Sequence, residues 1–377
     1  MINYLVSLII VTAIYALFSL GLNLQWGLTG LINFGHVASM TLGAYTTVLL
    51  SARAVPLPVA VLCGALLAAL LGVLIGFFTL RLREDYLSIV TIGVSEVIRL
   101  VALNEEWLTR GAFGVQNFPL PLAQFRPTLF SRLVMIGIFT LIAIWAMGQV
   151  VRWLQQRYQK LNGAIDGTLI LVALLGLGGL WVYWIAVTSL YRFNDNPARN
   201  GLMLIAVILT AIAFWMLERL AYSPWGRVLK AIREDEEVAK ALGKDVFWYK
   251  QQSLMLGNAI AAIAGSLLAW QLTSVYPSTF EPLTTFYAWI IVVLGGAGNN
   301  AGTILGAVIL WAYFEITRFL PNLIQALHGA MPFIPPTIDP AREGAVRLMF
   351  IGLLLMLLMM LRPQGILGKK EELTLGR

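Results

Sequence analysis

Apolar runs of helical length recur along the whole 377-residue chain, and they dominate what it can fold into. They fall at roughly 2–24, 37–50, 59–80, 86–103, 133–151, 163–188, 202–218, 251–272, 286–296, 303–320 and 346–361. About 20 such residues cross a hydrocarbon core about 30 Å thick. In lipid every backbone polar group must be bonded internally, and none of the runs alternates as a barrel strand does, so helices follow. Charge agrees: only 12 % of residues are charged and 59 % are hydrophobic, too little charge to solvate a compact soluble body. The expected fold class is all-α, a polytopic transmembrane bundle forming one domain over 1–377, with roughly nine to eleven segments. Two runs, 37–50 and 286–296, are too short to span alone and adjoin glycine-rich stretches, so they are expected to be broken or re-entrant.

Other chemistries are excluded by what is missing. Cys63 is the only cysteine, and His36 and His328 are the only histidines, nearly the whole chain apart. No disulfide, thiol cluster or histidine pair for a metal can be built from them. The net charge of +7 forms no basic stripe, so no nucleic-acid partner is expected. No GxxxxGK[ST] loop occurs, since Gly243-Lys244 and Gly368-Lys369 lack the upstream glycine and the following Ser or Thr. Met1-Ile2-Asn3-Tyr4 lacks the basic start of a cleavable leader.

The basic residues instead mark sides. Arg81 and Arg83, then Arg152, Arg157 and Lys160, then Arg219 through Lys250, then Arg362, Lys369, Lys370 and Arg377 occupy alternate connections. The other connections hold only Arg53, Arg110, Arg126, Arg132, Arg192, Arg199 and Arg342. Cytoplasmic loops carry the Lys/Arg excess, so the first set and the C-terminus are placed inside and the N-terminus outside.

The largest of these connections, Ser223 to Gly243, spaces Val228, Ala231, Ile232, Val238, Ala239 and Leu242 at helical intervals among charges. It predicts one short amphipathic helix over 223–243, ended by Gly243. Periodicity alone allows a solvated connector equally well. Glu237-Val238-Ala239-Lys240-Ala241-Leu242-Gly243, however, resembles the EAA-xxx-G loop of ABC importer permeases, with Val238 in place of the middle alanine. Three further blocks agree in order: Gly21 to Gly27 with Gly30, Asn33, Gly35, His36 and Gly43-Ala44-Tyr45; Arg81 to Thr91 with Glu96 and Arg99; and Val293 to Gly298 with Gly302 and Gly306-Ala307. Arg362-Pro363-Gln364-Gly365-Ile366-Leu367-Gly368 is similar to a C-terminal signature of the same group. Over about three quarters of its length the chain resembles the branched-chain and neutral amino acid ABC permease family, in its M-type subunit.

That resemblance implies a prokaryotic cytoplasmic-membrane permease that binds no cofactor itself and depends on ATP used by cytoplasmic ATPase subunits. It further implies a paralogous permease forming a heterodimer and an extracytoplasmic amino-acid-binding protein that meets 104–132, 273–285 and 321–345. Coupling to the ATPase falls by resemblance on Gly226, Arg227, Ala231, Arg233, Glu237, Ala239 and Gly243. There are two departures. Leu108-Thr109-Arg110-Gly111 stands where the family commonly has Leu-Thr-Gly-Gly, and 126–200 reads as an insertion with two extra spans, containing Asp166 and the aromatics Trp181, Tyr183 and Trp184.

Gly27-Leu28-Thr29-Gly30 and Gly295 to Gly302 interrupt apolar sequence and each leads into a Gly-Ala pair, the pattern of discontinuous helices whose free ends can meet a solute. Candidate pathway residues are Asn23, Gln25, Asn33, His36, Glu96, Arg99, Gly295, Gly296 and Gly298, with Asn258 and Gln271 as further polar groups. The plainer alternative is helix packing, in which small and amide residues are common glue. Glu96 and Arg99, three apart, can pair, and Arg99 can snorkel outward. Glu315 and Arg318 repeat that spacing. Urea or short amides as cargo, and an ion-coupled transporter working without an ATPase, stand as alternative functions. Neither leaves room for an enzyme, because no catalytic constellation is visible.

Overall fold

The computed structural model describes residues 2–80, 84–160, 167–318, 340–361 and 364–368. Arg81, Arg83, Asp166, His328, Arg362, Lys369, Lys370, Arg377 and the stretch 319–339 of the sequence reading lie outside the described residues. Helices follow the apolar runs: α1 Ile2–Leu22, α2 Val37–Ala52, α3 Leu57–Thr79, α4 Glu84–Asn104, the single turn α5 Glu106–Thr109, α6 Leu129–Lys160, α7 Gly167–Tyr191 and α8 Pro197–Tyr222. Then come α9 Pro224–Glu234, α10 Glu236–Ala241, α11 Val246–Leu272, α12 Leu283–Gly295, α13 Asn300–Thr317 and α14 Pro340–Leu361. Eight helices among the described residues are long and apolar enough to cross a membrane, while α2 and α12 are shorter, as the two short runs predict.

The centre of the bundle is α11, which packs on α3, α2 and α1; α1 in turn packs on α8, α13 and α12. Apolar transfer alone cannot hold helices together in lipid, so close backbone approach must do it. At Gly43 a methyl group would sit 2.0 Å from the Ala262 carbonyl oxygen, and at Gly265 the same distance from that of Met40. Thr47 and Ser266 then join α2 to α11 by a hydroxyl bond of 2.7 Å. Larger residues at either glycine would drive these two helices apart.

The pair α6–α7 realises the two extra runs of 126–200. It lies at the periphery, α6 against α7 and α8, and α7 against α1. Only 6 % of the apolar window of α6 is buried, against 78 % for α11. The helix runs to Lys160, well beyond the apolar limit near 151, because Gln155, Gln156 and Arg157 continue a helix-favouring sequence.

The connections gather at two opposite ends. At one, β1 Val115–Gln116 pairs antiparallel with β2 Ser274–Val275, pinning the segment after α4 to the one after α11. There Arg110 adopts φ +60° beside Gly111 at +56°, so an arginine occupies a left-handed position at the departure from Leu-Thr-Gly-Gly. The other end holds the break after α1, the break after α12, the pair α9–α10 and the segment 364–368.

The stretch 223–243 is two helices, not the single one the periodicity predicts. Ser223 caps α9 by accepting from Gly226 N, and Asp235, in extended backbone, caps α10 by accepting from Val238 N at 3.0 Å. An aspartate followed by Glu236 and Glu237 starts a new helix more favourably than it continues an old one. Gly243 does end the second helix, at φ +75°, with its N–H on the Lys240 carbonyl and Lys244 N–H on that of Ala239.

Candidate functional site

The first break begins where α1 passes into a π-helical turn, Asn23–Leu28. The wider turn frees backbone groups that side chains then occupy. Thr29 Oγ1 and Ser253 Oγ, 2.8 Å apart, both reach the Leu24 carbonyl. Gln25 Nε2 donates to Asn258 Oδ1 at 2.9 Å and to the Leu254 carbonyl at 3.2 Å, and its Oε1 accepts from Asn33 Nδ2 at 2.9 Å. Asn33 Oδ1 accepts from Gly35 N, so one amide chain fastens the returning loop to α11. His36 is fully buried, with Nε2 3.2 Å from the Phe18 carbonyl and its ring against that of Phe18.

The second break is built against the first. Asn23 Oδ1 accepts from Gly298 N at 2.9 Å, and Asn23 Nδ2 donates to Asn300 Oδ1 at 3.0 Å. Asn300 Nδ2 continues to Glu218 Oε2 near the end of α8, also at 3.0 Å. At Gly27 a methyl group would overlap the Gly298 backbone, so the two breaks touch main chain to main chain. The C-terminal signature closes the joint: Ile366 N–H and Leu367 N–H bond the Leu294 and Gly295 carbonyls, and Asn299 Nδ2 bonds that of Leu367. Gly296 turns at φ +110° to receive this strand, a conformation that side chains beyond glycine rarely adopt.

The α9–α10 pair meets the joint directly. Gly226, Leu229, Ile232 and Ala239 face inward and are buried. Arg233 Nη1 donates to the Gly27 carbonyl, and its stem covers Gly30. Trp225 Nε1 bonds Gln252 Oε1, and Glu236 bonds both Lys250, buried on α11, and Lys240. Burial opposes the Glu236 charge, but hydrogen bonds from Lys250 and Lys240 outweigh it, and the carboxyl titrates below the usual range. Arg227, Ala231, Glu237, Ala241, Leu242 and Gly243 face outward. Val238 faces outward with them, 54 % exposed, and with Leu242 at 71 % it forms an apolar tip on an otherwise charged surface.

Of the candidate residues, the structure gathers Asn23, Gln25, Asn33 and His36 around the first break and joins Asn23 to the second, where Gly295, Gly296 and Gly298 lie. Glu96 and Arg99 stand apart on α4, paired by Arg99 Nε to Glu96 Oε2 at 2.9 Å. Glu218, Glu236, Lys250, Ser253, Asn299 and Asn300 complete the joint without having been singled out. Asn300 opens a helix after a glycine run, a signal that was available; the contact of Glu218 with it spans 82 positions and left none. No group of three or more metal-ligating side chains occurs among the described residues.

A bundle of membrane-crossing helices with two interlocked breaks and a helical pair projecting at one end defines an integral membrane transport component. The family described as "Branched-chain amino acid transport system / permease component" matches residues 4–359, and the chain belongs to that family. It is 28 % identical over 369 residues to the high-affinity branched-chain amino acid transport system permease protein LivM of Escherichia coli K12, covering 96 % of this chain and 69 % of the relative. A probable branched-chain amino acid transport permease protein LivM of Methanocaldococcus jannaschii is 26 % identical, covering 98 % and 95 %. LivH, the second permease name of the E. coli K12 system, is 25 % identical over 360 residues, covering 95 % and 92 %. No solved structure matches.

Proposed function

We propose that the chain is the M-type permease subunit of an ATP-driven importer of branched-chain and neutral amino acids in a prokaryotic cytoplasmic membrane. The observation that carries this is the seat of α9–α10: its inner face holds the first break through Arg233 and buries Ala239, and its outer face leaves Glu237, Val238 and Lys240 to Gly243 of the EAA-like stretch exposed to another protein. A second permease of the H type completes the pathway as a heterodimer, ATPase subunits dock on Val238 and Leu242, and a binding protein delivers cargo to the β1–β2 end. The chain binds no cofactor, and ATP is bound and hydrolysed by the partners. The α9–α10 end is cytoplasmic, together with the C-terminus, and the N-terminus is outside, by the alternation of Lys and Arg.

In this mechanism ATP binding draws the docked helices together, and Arg233 carries the displacement to the π-helical turn. Asn23 passes it to Gly298 and Asn300 in the second break, and Asn300 passes it back to Glu218, so the two breaks move as one body. Nucleotide thereby shifts the population between inward-open and outward-open bundles. The ring also makes the Asn23 and Gly298 contacts a transmission joint beside the pathway.

The test is ATP-driven leucine uptake in vesicles holding the assembled complex. Gly243→Val, which strains the φ +75° position, and Glu237→Lys are expected to leave ATP hydrolysis running while uptake falls by about tenfold or more. Undiminished uptake in both variants refutes docking at α10.

A further inference from the structure

The face of α4 that carries Glu96 and Arg99 differs from every lipid-facing surface of the bundle. Only 22 % of the α4 apolar window is buried, and Ile89, Gly93, Val97 and Val101 look outward. Bordering them, the Glu96 side chain is 38 % exposed and that of Arg99 19 %. Glu96 lies eight residues before the end of α4 at Asn104, about 12 Å along the axis at about 1.5 Å per residue, well inside a core about 30 Å thick. A partly exposed ion pair within a span is costly against hydrocarbon, and such charges face water or protein. The comparison with α6 is direct, since its outward residues between 133 and 151 contain no charge at all. The opposite, buried face of α4 is seated on the bundle: Thr91 Oγ1 accepts from Phe34 N at 3.2 Å, and the Thr91 carbonyl abuts Gly35 next to the first break.

We infer that this face is a wetted wall of the translocation pathway and that Glu96 and Arg99 form a transient site for a zwitterionic α-amino acid. Arg99 offers a planar fork of donors to the α-carboxylate, and Glu96 offers acceptors to the α-ammonium group. In the resting pair each satisfies the other, which keeps both charges stable until a solute carrying both charges exchanges with them. The neighbouring apolar residues Ile89, Val97 and Val101 suit an aliphatic side chain. This inference rests on the amino acid cargo proposed above and adds the residues that recognise the part common to all such cargoes.

The test uses the assembled complex in vesicles. Cys63 is the only cysteine, so Cys63→Ser supplies the background for single cysteines at Gly93 and Val97 on α4 and at Leu141 on α6. A charged, water-soluble thiosulfonate is expected to label Gly93→Cys and Val97→Cys about tenfold or more faster than Leu141→Cys, because only thiolates exposed to water react. Leucine presented with the binding protein should slow that labelling. Glu96→Leu combined with Arg99→Leu separates recognition from structure: replacing an ion pair by apolar groups of similar volume leaves stability unchanged or raises it. The double variant is expected to keep its thermal midpoint while uptake falls about tenfold or more. Labelling of the α4 cysteines as slow as at Leu141, or unimpaired uptake in the stable double variant, overturns the inference. Failure of the unaltered complex to take up leucine overturns the cargo reading instead, and the labelling comparison still decides whether the face is wet.

Discussion

The joint between the two breaks and the peripheral pair α6–α7 are built from similar amino acids to opposite ends. Both are rich in glycine and apolar residues. At the joint and in the helices that frame it, glycine is where backbones touch: Gly43 meets Ala262, Gly265 meets Met40 and Gly27 meets Gly298. In the pair, a methyl group at Gly137, Gly148, Gly178 or Gly179 would find nothing within 4 Å. Side-chain amides follow the same division. Asn23, Gln25, Asn33, Asn258 and Asn300 bond one another across four elements, while the pair is joined by a hydroxyl contact between Thr140 and Tyr183 and a bond from Arg132 Nη1 to the Tyr191 carbonyl at its exposed end. Composition thus says that both regions live in the membrane, and only contact says which one is interlocked.

Substitutions at glycine should expose the difference most sharply. Gly43→Val must displace the Ala262 main chain, and overpacking of this kind costs about 1–3 kcal/mol or more. Loss of folded protein on size exclusion, or a large fall in thermal midpoint, is expected. Gly148→Val on α6 should leave both unchanged. Equal effects at the two sites would dissolve the distinction. Next in size is Asn23→Ala, which strips partners at once from the part-buried Gly298 N and from the buried Asn300 Oδ1, a cost of about 1–3 kcal/mol for a polar group left buried and unpaired. Asn23→Asp, which keeps the acceptor for Gly298 N but buries a carboxylate against Asn300 Oδ1, should destabilise at least as much as Ala.

How much of this is legible in the sequence follows from the range of each interaction. Helices are legible because hydropathy is local, and the observed ends lie near the run ends, with α6 exceptional where polar helix-formers outlast the apolar run. The breaks are legible because Gly27-Leu28-Thr29-Gly30 and Gly295 to Gly298 cannot sustain regular helix. That they touch each other is not, since Asn23 and Asn300 are 277 positions apart. The division of 223–243 was within reach: Asp235 with two glutamates behind it is an N-terminal signal, hidden because the whole Arg233 to Glu237 run reads as a solvated charge cluster. The Arg233 bond to Gly27, across 206 positions, explains why one residue of that cluster points inward.

Protonation offers a gentler probe of the same joint. The Glu236 carboxyl titrates below its unfolded value, so its contribution to holding α10 on α11 is complete above the unfolded carboxylate pKa and is lost as pH falls through the lower folded value. Protection of the α10 amides relative to their intrinsic exchange rate should therefore fall in mildly to strongly acidic buffer, while that of α6 and α7 shows no corresponding change. Glu236→Gln should remove that pH dependence and give α10 faster exchange at every pH, because Lys250 then keeps a buried charge without its carboxylate. A pH profile unaltered by Glu236→Gln would assign the tether to another contact.

The smallest effect is expected at the hydroxyl bond midway along the peripheral pair. Thr140 Oγ1 lies 2.9 Å from Tyr183 Oη and also reaches the Ile136 carbonyl of its own helix at 2.7 Å. Thr140→Val keeps the shape and removes the hydroxyl. Interhelical hydrogen bonds in membranes average about 0.6 kcal/mol, because a helix that loses one partner finds another nearby. Thr140 illustrates why, since its hydroxyl already has a carbonyl within its own turn. The variant should keep its thermal midpoint within about a degree or two and its uptake intact. A fall approaching that of Asn23→Ala would mean that α6 and α7 brace the joint through α1 and α8, and that the peripheral pair belongs to the same body as the joint.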